Sequence, residues 1–325
     1  MTVSLYRASD HHNDIVFTYD VITPCSTQPL GKNMQTNPFL EFLARQGHRI
    51  VETESCYWYD AQPGFYFYFP YNRLITPGRD ELKRVLWRQP CIGIRYFTPV
   101  ECFGKESFMI VCSDKSYDIT SVDPHYARRQ TRRGLEHFDI RQLEFKELAQ
   151  LGISLNRDTL VRQGRDPRIY DEKKWQLYCS SADGLDGFEA WGAFSEKNLA
   201  SFMVTFLMDD HFTILHQSSA SEYLPLYPNN ALVFYVTKLK LALPEINAVS
   251  YGPQSLDAPE SLDTFKFRMG YKKKPMKQTI VFNPLVRPFI NLFSYKLIQR
   301  LSAFRPVSDT FRKIEGIVRF YREST

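Results

Sequence analysis

Apolar residues recur at two spacings along this chain, and the switch between them marks its elements. Asn37 to Gln46 carries apolar positions three and four apart, with Pro38 in the first turn and Gly47 just after, which predicts a short helix. The stretches HRIVETESCYWYD and GFYFYFPYNRLIT alternate around Ala61-Gln62-Pro63-Gly64 and predict a hairpin. Ile15 to Val21 predicts an earlier strand. Arg79 to Arg88 predicts a helix facing inward with Leu82, Val85 and Leu86, followed by the strands CIGIRYFT and FMIVCS. Tyr117 to Val122 predicts a strand that ends at Pro124. Helices are expected at Glu144 to Gly152 and Lys173 to Ser180, and FEAWGAF and SFMVTFLM predict a hairpin around Ser195 to Asn198.

The most informative stretch runs from His211 to Tyr271. HFTILHQSS reads as a strand and SSASEYLPLYPNN as a polar turn. A helix follows, with Leu232, Tyr235, Val236, Leu239 and Leu243 on one face. Asn229 and Asn230 are cap-type residues at its start, and Pro244 stops it. NAVSY is the next strand, and a short helix ends at Gly270. Two parallel strands joined by a helix make a right-handed unit, whose helix N-terminus presents free N–H groups to an anion. A final strand is expected at Gln278 to Phe282. Two amphipathic helices follow, one with Phe289, Phe293, Leu297, Leu301 and Phe304 on a face. The other carries Phe311, Ile314, Val318 and Tyr321, with Ser308 as its cap.

The order of elements from 211 to 271 resembles the core of GNAT-type acyltransferases, in the FemAB-like branch. The resemblance is carried by the polar SSASEYLPLYPNN turn, the strand end Tyr251-Gly252-Pro253, and the run Thr264 to Tyr271. That run is similar to the phenylalanine–lysine…glycine signature of FemAB-like chains. The glycine loop that holds the pyrophosphate in GNAT enzymes is absent, and Pro228-Asn229-Asn230-Ala231 stands in its place. The resemblance implies an α/β (α+β) fold with a GNAT-like mixed central sheet flanked by helices. It further implies a degenerate GNAT-like half at 1–120, a complete one at 121–283, and a basic helical tail at 284–325.

The implied reaction moves an acyl group from acyl-coenzyme A to an amine of a sugar or small metabolite. Alternatives are a FemAB-type transfer from charged tRNA to a cell-envelope or peptide acceptor, and a non-catalytic binding module. Gln217, Ser218, Ser219, Tyr227, Asn229, Asn230 and Ala231 are then expected around the donor. Lys266 matches the lysine that FemAB-like enzymes place near the developing oxyanion or the donor. His216 is a candidate base because imidazole titrates near neutrality. Glu222 is an alternative base, and Tyr251 a candidate acid; for each, a packed or surface role stands beside the chemical one. Arg128, Arg129 and Arg132 share a helical strip with Arg133, either solvated or binding an anionic substrate through their forked donors.

The composition is that of an ordinary globular chain, 43% hydrophobic and 24% charged, with 25 Phe and 19 Tyr. The net charge of +5 matches that of residues 284–325 alone, with eight basic and three acidic groups. A nucleic-acid-binding domain is usually more basic, so charged tRNA is the one nucleic-acid partner kept. The tail is expected either to pack on the body or to lie on an anionic membrane. The six cysteines show no metal-ligand spacing and no metal is expected. Residues 1–14 lack a leader pattern and no apolar run approaches about 18 residues, which sets the expectation of a cytoplasmic chain.

Overall fold

The structure, a computed structural model, describes residues 37–323 except positions 63, 89, 170, 255, 257–259, 292–294 and 301–308. Its strands are β1 (Ile50–Glu52), β2 (Tyr57–Gln62), β3 (Phe65–Phe69), β4 (Gly93–Thr98), β5 (Lys105–Cys112), β6 (Asp139–Leu143), β7 (Phe188–Ser195), β8 (Asn198–Met208), β9 (His211–Ser219), β10 (Ala248–Pro253) and β11 (Lys272–Phe282). Among the described residues they form one sheet in the order β1-β2-β3-β4-β11-β5-β10-β9-β8-β7-β6. The pairs β3/β4 and β9/β10 are parallel and the others antiparallel. The helices are α1 (Pro38–Arg45), α2 (Arg79–Arg88), α3 (His125–His137), α4 (Phe145–Arg162), α5 (Glu172–Ala182), α6 (Pro228–Leu241), α7 (Glu260–Arg268) and α8 (Asp309–Arg322).

β8 shows how the sequence builds two layers. Its side chains alternate across the sheet, so Phe202, Val204 and Phe206 join a core with Phe39, Phe42, Leu148 and Trp175 of α1, α4 and α5. Met203 joins the opposite core, with Ala127 of α3 and Leu232, Val233 and Val236 of α6. A strand covered on both faces reads as a continuous apolar run, as NLASFMVTFLM does. A third, smaller core holds α8 against the sheet: Ile317, Val318 and Phe320 pack with Phe65, Ile280 and Phe282.

β11 ties the two ends of the chain together. It follows α7 in sequence, yet pairs with β4 through Ile280↔Arg95 and with β5 through Met276↔Ser107. A strand from the 121–283 segment thus lies between two strands from residues 1–120.

Several expectations are corrected. Tyr117 to Val122 is not a strand: Ile119–Ser121 is a 3-10 turn capped by the Asp118 side chain. HRIVETESCYWYD splits into β1 and β2 because the buried Glu81 carboxylate accepts hydrogen bonds from Thr53 and from the Ser55 amide and hydroxyl, fixing a turn between them. α4 continues ten residues past Gly152, a glycine that admits a neighbour rather than stopping the helix; a Cβ there would stand 2.8 Å from the Trp175 ring. β6 was not anticipated, since its single buried residue, Leu143, leaves no alternation to read. β11 begins at Lys272 rather than Gln278.

The face predicted for α6 is buried only at Leu232 and Val236. Tyr235, Leu239 and Leu243 are 40%, 40% and 36% exposed, while Leu232, Val233, Val236, Thr237 and Leu241 are buried. With α3 beside it and the sheet below, the helix buries a wide arc instead of a stripe. Asn229 and Asn230 lie inside the helix, and Tyr227 is its N-cap. The predicted strand at Ile15 to Val21 lies outside the described residues, as do Phe293, Leu301, Phe304 and Ser308 of the tail. Arg287–Phe289 is a 3-10 turn.

Candidate functional site

β9 and β10 pair over only three positions, Ala248↔His211, Val249↔Phe212 and Ser250↔Thr213. Beyond Ser250 the strands part. β9 stays on β8 as far as Ser219, while β10 stays on β5 as far as Pro253. Two local features set the divergence. β9 carries an extra residue opposite Val204–Thr205, and such a bulge bends its strand. Gly252 has φ +72, a conformation that side chains rarely adopt. The buried hydroxyls of Thr213 and Ser250, 3.2 Å apart, close the inner end of the opening.

A connected set of polar side chains lines one wall. The Tyr251 hydroxyl donates to Gln217 Oε1 at 3.1 Å, and Gln217 Nε2 donates to Asn229 Oδ1 at 3.2 Å. The Ser201 hydroxyl also donates to Asn229 Oδ1, at 2.7 Å, and Asn229 Nδ2 donates to Ser219 Oγ at 3.0 Å. Asn229 thus ties the first turn of α6 to the end of β9. Burial raises the Tyr251 phenol far above its usual range, so it stays protonated. Lys266, on α7, brings its ammonium 5.1 Å from the Tyr251 ring centroid and pairs with Asp263 at 2.9 Å. Both partners are about one-fifth exposed, at 19% and 18%.

His216 and Ser218 face the other side of the sheet. Each meets Asn156 Oδ1 of α4 at 2.7 Å, and the His216 ring stacks on Phe202 at 5.5 Å. His216 is therefore separated by β9 from Tyr251 and Lys266. Desolvation lowers its pKa to about 4. The unfolded imidazole binds its proton nearer pH 6.5. The fold is thus favoured above that pH and loses the contribution as pH falls toward 4. Part of the residue still reaches solvent, so about 2 kcal/mol is expected rather than the full ~3. Urea unfolding at pH 7 and pH 4.5 measures this, and His216→Gln should flatten the dependence.

The other predicted residues are scattered around this core. Glu222 is exposed on the 3-10 turn Ser221–Leu226. Asn230 Nδ2 meets Met269 Sδ at 3.6 Å, and Ala231 is fully buried with its N–H on the Tyr227 carbonyl. Tyr227 is left-handed, φ 63, and its ring lies 5.9 Å from the Arg133 guanidinium. Arg128 pairs with Asp123 at 3.5 Å, whereas Arg129 and Arg132 are exposed and make no ion pair among the described residues. α3 crosses the first turn of α6 at Gly134, where a Cβ would stand 2.6 Å from the Tyr227 carbonyl oxygen.

Arg162 was not anticipated. At the end of α4 its guanidinium donates to the Ser219 carbonyl and hydroxyl, to Ser221 Oγ at 2.8 Å, and to Thr159 Oγ1. A helix expected to stop at Gly152 hid it. Five described cysteines are free thiols, four of them buried. Among the described residues no helix is long and apolar enough to cross a membrane, and no group of three His, Cys, Asp or Glu is placed to hold a metal.

No protein family and no curated protein matches the sequence. Solved structures do match the fold. FemX superposes with a TM-score of 0.53 at 11% identity, covering 79% of this chain and 94% of its own. The C-terminal domain of a putative lysylphosphatidylglycerol synthetase from Agrobacterium fabrum gives 0.50 at 9% identity, covering 76% and 88%. At such identities the likeness is one of fold, and with the splayed parallel pair it assigns this chain the GNAT fold in its two-half, FemAB-like form.

Proposed function

We propose that the chain transfers an acyl group to an amine, with the donor carbonyl held in the opening between β9 and β10. The amine nitrogen bonds to the carbonyl carbon, and the bond from that carbon to the donor's sulfur or oxygen breaks. The amine loses a proton to solvent, and the leaving group gains one. Tyr251 is the proton donor to the leaving group, and the Lys266 ammonium stabilises the oxyanion that forms on the way. The supporting observation is the three-position pairing of β9 and β10, which leaves backbone and the Tyr251–Gln217–Asn229 chain facing the gap.

Two donors fit this chemistry, an acyl-coenzyme A and the ester of a charged tRNA. The crossing at Gly134 favours the second. α3 lies where a diphosphate would approach the first turn of α6, and it offers a polyanion the exposed row Arg129, Arg132 and Arg133. The acceptor is an amine on a sugar, a small metabolite or a cell-envelope peptide.

The test follows consumption of labelled acetyl-coenzyme A and of labelled aminoacyl-tRNA over a panel of amines. Filter binding with tRNA accompanies it. Three arginine–phosphate contacts predict a roughly 20- to 40-fold loss of affinity from about 50 to about 200 mM salt. Consumption of coenzyme A ester alone would return the donor to the first class. Consumption of neither, with ligand-dependent heat on adding either donor, would make the fold a non-catalytic binding module, and no heat with either would remove both donors.

A further inference from the structure

We infer that the closed end of the β9/β10 pair carries a second binding site, for a small phosphate monoester that also bears a hydroxyl. β9 and β10 begin side by side at His211 and Ala248 and part only beyond Ser250. At their start lies a cavity of about 620 Å³, bordered by the end of β5, by Asn247 and by the first residues of β11. That volume falls in the range of small-molecule sites. Along the strands, the Thr213 and Ser250 hydroxyls come between this end and the opening.

Lysine sets the charge of the cavity. Lys272, Lys273 and Lys274 line it, against one lining acid, Asp114. Successive residues of a strand point to opposite faces. Lys273 rests its ammonium over the Phe108 and Phe267 rings, at 4.4 and 5.4 Å. Lys272 and Lys274 share the other face, are exposed, and make no ion pair among the described residues. Asp114 is turned to its own loop. Its Oδ1 accepts from the Ser116 amide at 2.9 Å and from the Ser116 hydroxyl at 2.6 Å. Those bonds, ahead of the charge of Lys272, hold its carboxyl below the usual range. Two ammonium groups one strand repeat apart suit the oxygens of a single phosphate.

His211, which also lines the cavity, supplies the second half of the site. Its Nδ1 donates to Asp210 Oδ1 at 2.6 Å, and Asp210 Oδ2 accepts from the Asn247 side-chain amide at 2.6 Å. The bond from Asn247, and then that from His211, hold the Asp210 carboxyl below its usual range. The carboxylate therefore keeps the proton of the neutral ring on Nδ1 and leaves Nε2 as an acceptor. Nε2 has no partner among the described residues and is not sealed inside the protein. Phosphate alone would leave this acceptor unused, whereas a hydroxyl near the phosphate donates to it.

The full chain is titrated by calorimetry with ribose 5-phosphate, methyl phosphate and inorganic phosphate, at about 50 mM salt so that the lysines are lightly screened. Ribose 5-phosphate is expected to bind, and the two probes without a sugar hydroxyl to bind roughly fivefold more weakly. Lys272→Gln and Lys274→Gln should each weaken ribose 5-phosphate roughly 10-fold; both side chains are exposed, so the fold is retained. His211→Phe should erase the preference for ribose 5-phosphate over methyl phosphate, and retained methyl phosphate binding shows that this variant is folded. Arg129→Gln combined with Arg132→Gln should leave every isotherm unchanged. The proposal is overturned by no heat with ribose 5-phosphate, by equal affinity of the parent for all three probes, or by a preference that survives His211→Phe. Unchanged binding in both lysine variants overturns it too, as does a loss in the arginine variant, which would move the phosphate to α3. The titration involves no turnover, so a failure of the acyl-transfer reading is distinguishable from a failure of this one.

Discussion

Tyr251→Phe and Lys266→Met are each expected to lower turnover by about 10²- to 10³-fold without unfolding the protein. The first removes a hydroxyl that donates to Gln217, and keeps the ring that packs against Tyr271 at 5.1 Å. The second removes the ammonium and keeps most of the stem. Asp263 loses its partner but is partly exposed, so water replaces the lysine. If the two groups act on one developing charge, the double substitution costs less than the product of the singles. The measurements are kcat from donor consumption and the urea midpoint as a check on folding. Turnover within about twofold of the parent in either variant would remove that residue from the chemistry.

Gly134→Val is expected to cost about 3 kcal/mol of stability or more. Glycine inside a helix is normally a weakness, and alanine there recovers about 1 kcal/mol. At this position the added carbon meets the Tyr227 carbonyl oxygen at 2.6 Å and the Ala231 Cβ at 3.0 Å. Backbone cannot move aside cheaply, so α3 must lift from α6. Gly134→Ala should accordingly be a net loss, the reverse of the propensity argument. Denaturant midpoints with unchanged slope measure both. The valine variant should also lose tRNA binding more than its global stability predicts, because Arg129, Arg132 and Arg133 ride on the displaced helix.

The strand–helix–strand core was legible because three signals agreed there: β-branched strands, a cap-rich turn, and a proline after the helix. Tyr251 and Lys266, proposed from one short stretch, do come together. His216 could not be assigned from its chemistry alone, since a strand places successive side chains on opposite faces and nothing in HFTILHQSS says which face meets α4. The exposed face of α6 was misread for a related reason. A helix buried by both a sheet and a neighbouring helix loses the narrow stripe that period-3.6 reading relies on. The helix expected at Glu144 to Gly152 runs on to Arg162 because Gly152 accommodates Trp175, and the shorter range concealed Arg162. Close approach between distant segments leaves no local trace.

The position of β11 bears on how the chain comes to be made. A ribosome delivers β4 and β5 more than 150 residues before the segment that bonds to both of them. Until residues 272–282 emerge, two strand edges stay open to other chains. Synthesis rate and nascent-chain protection should therefore govern its yield more than final stability does. Expressing residues 1–120 and 121–283 as separate pieces would leave each with an incomplete sheet.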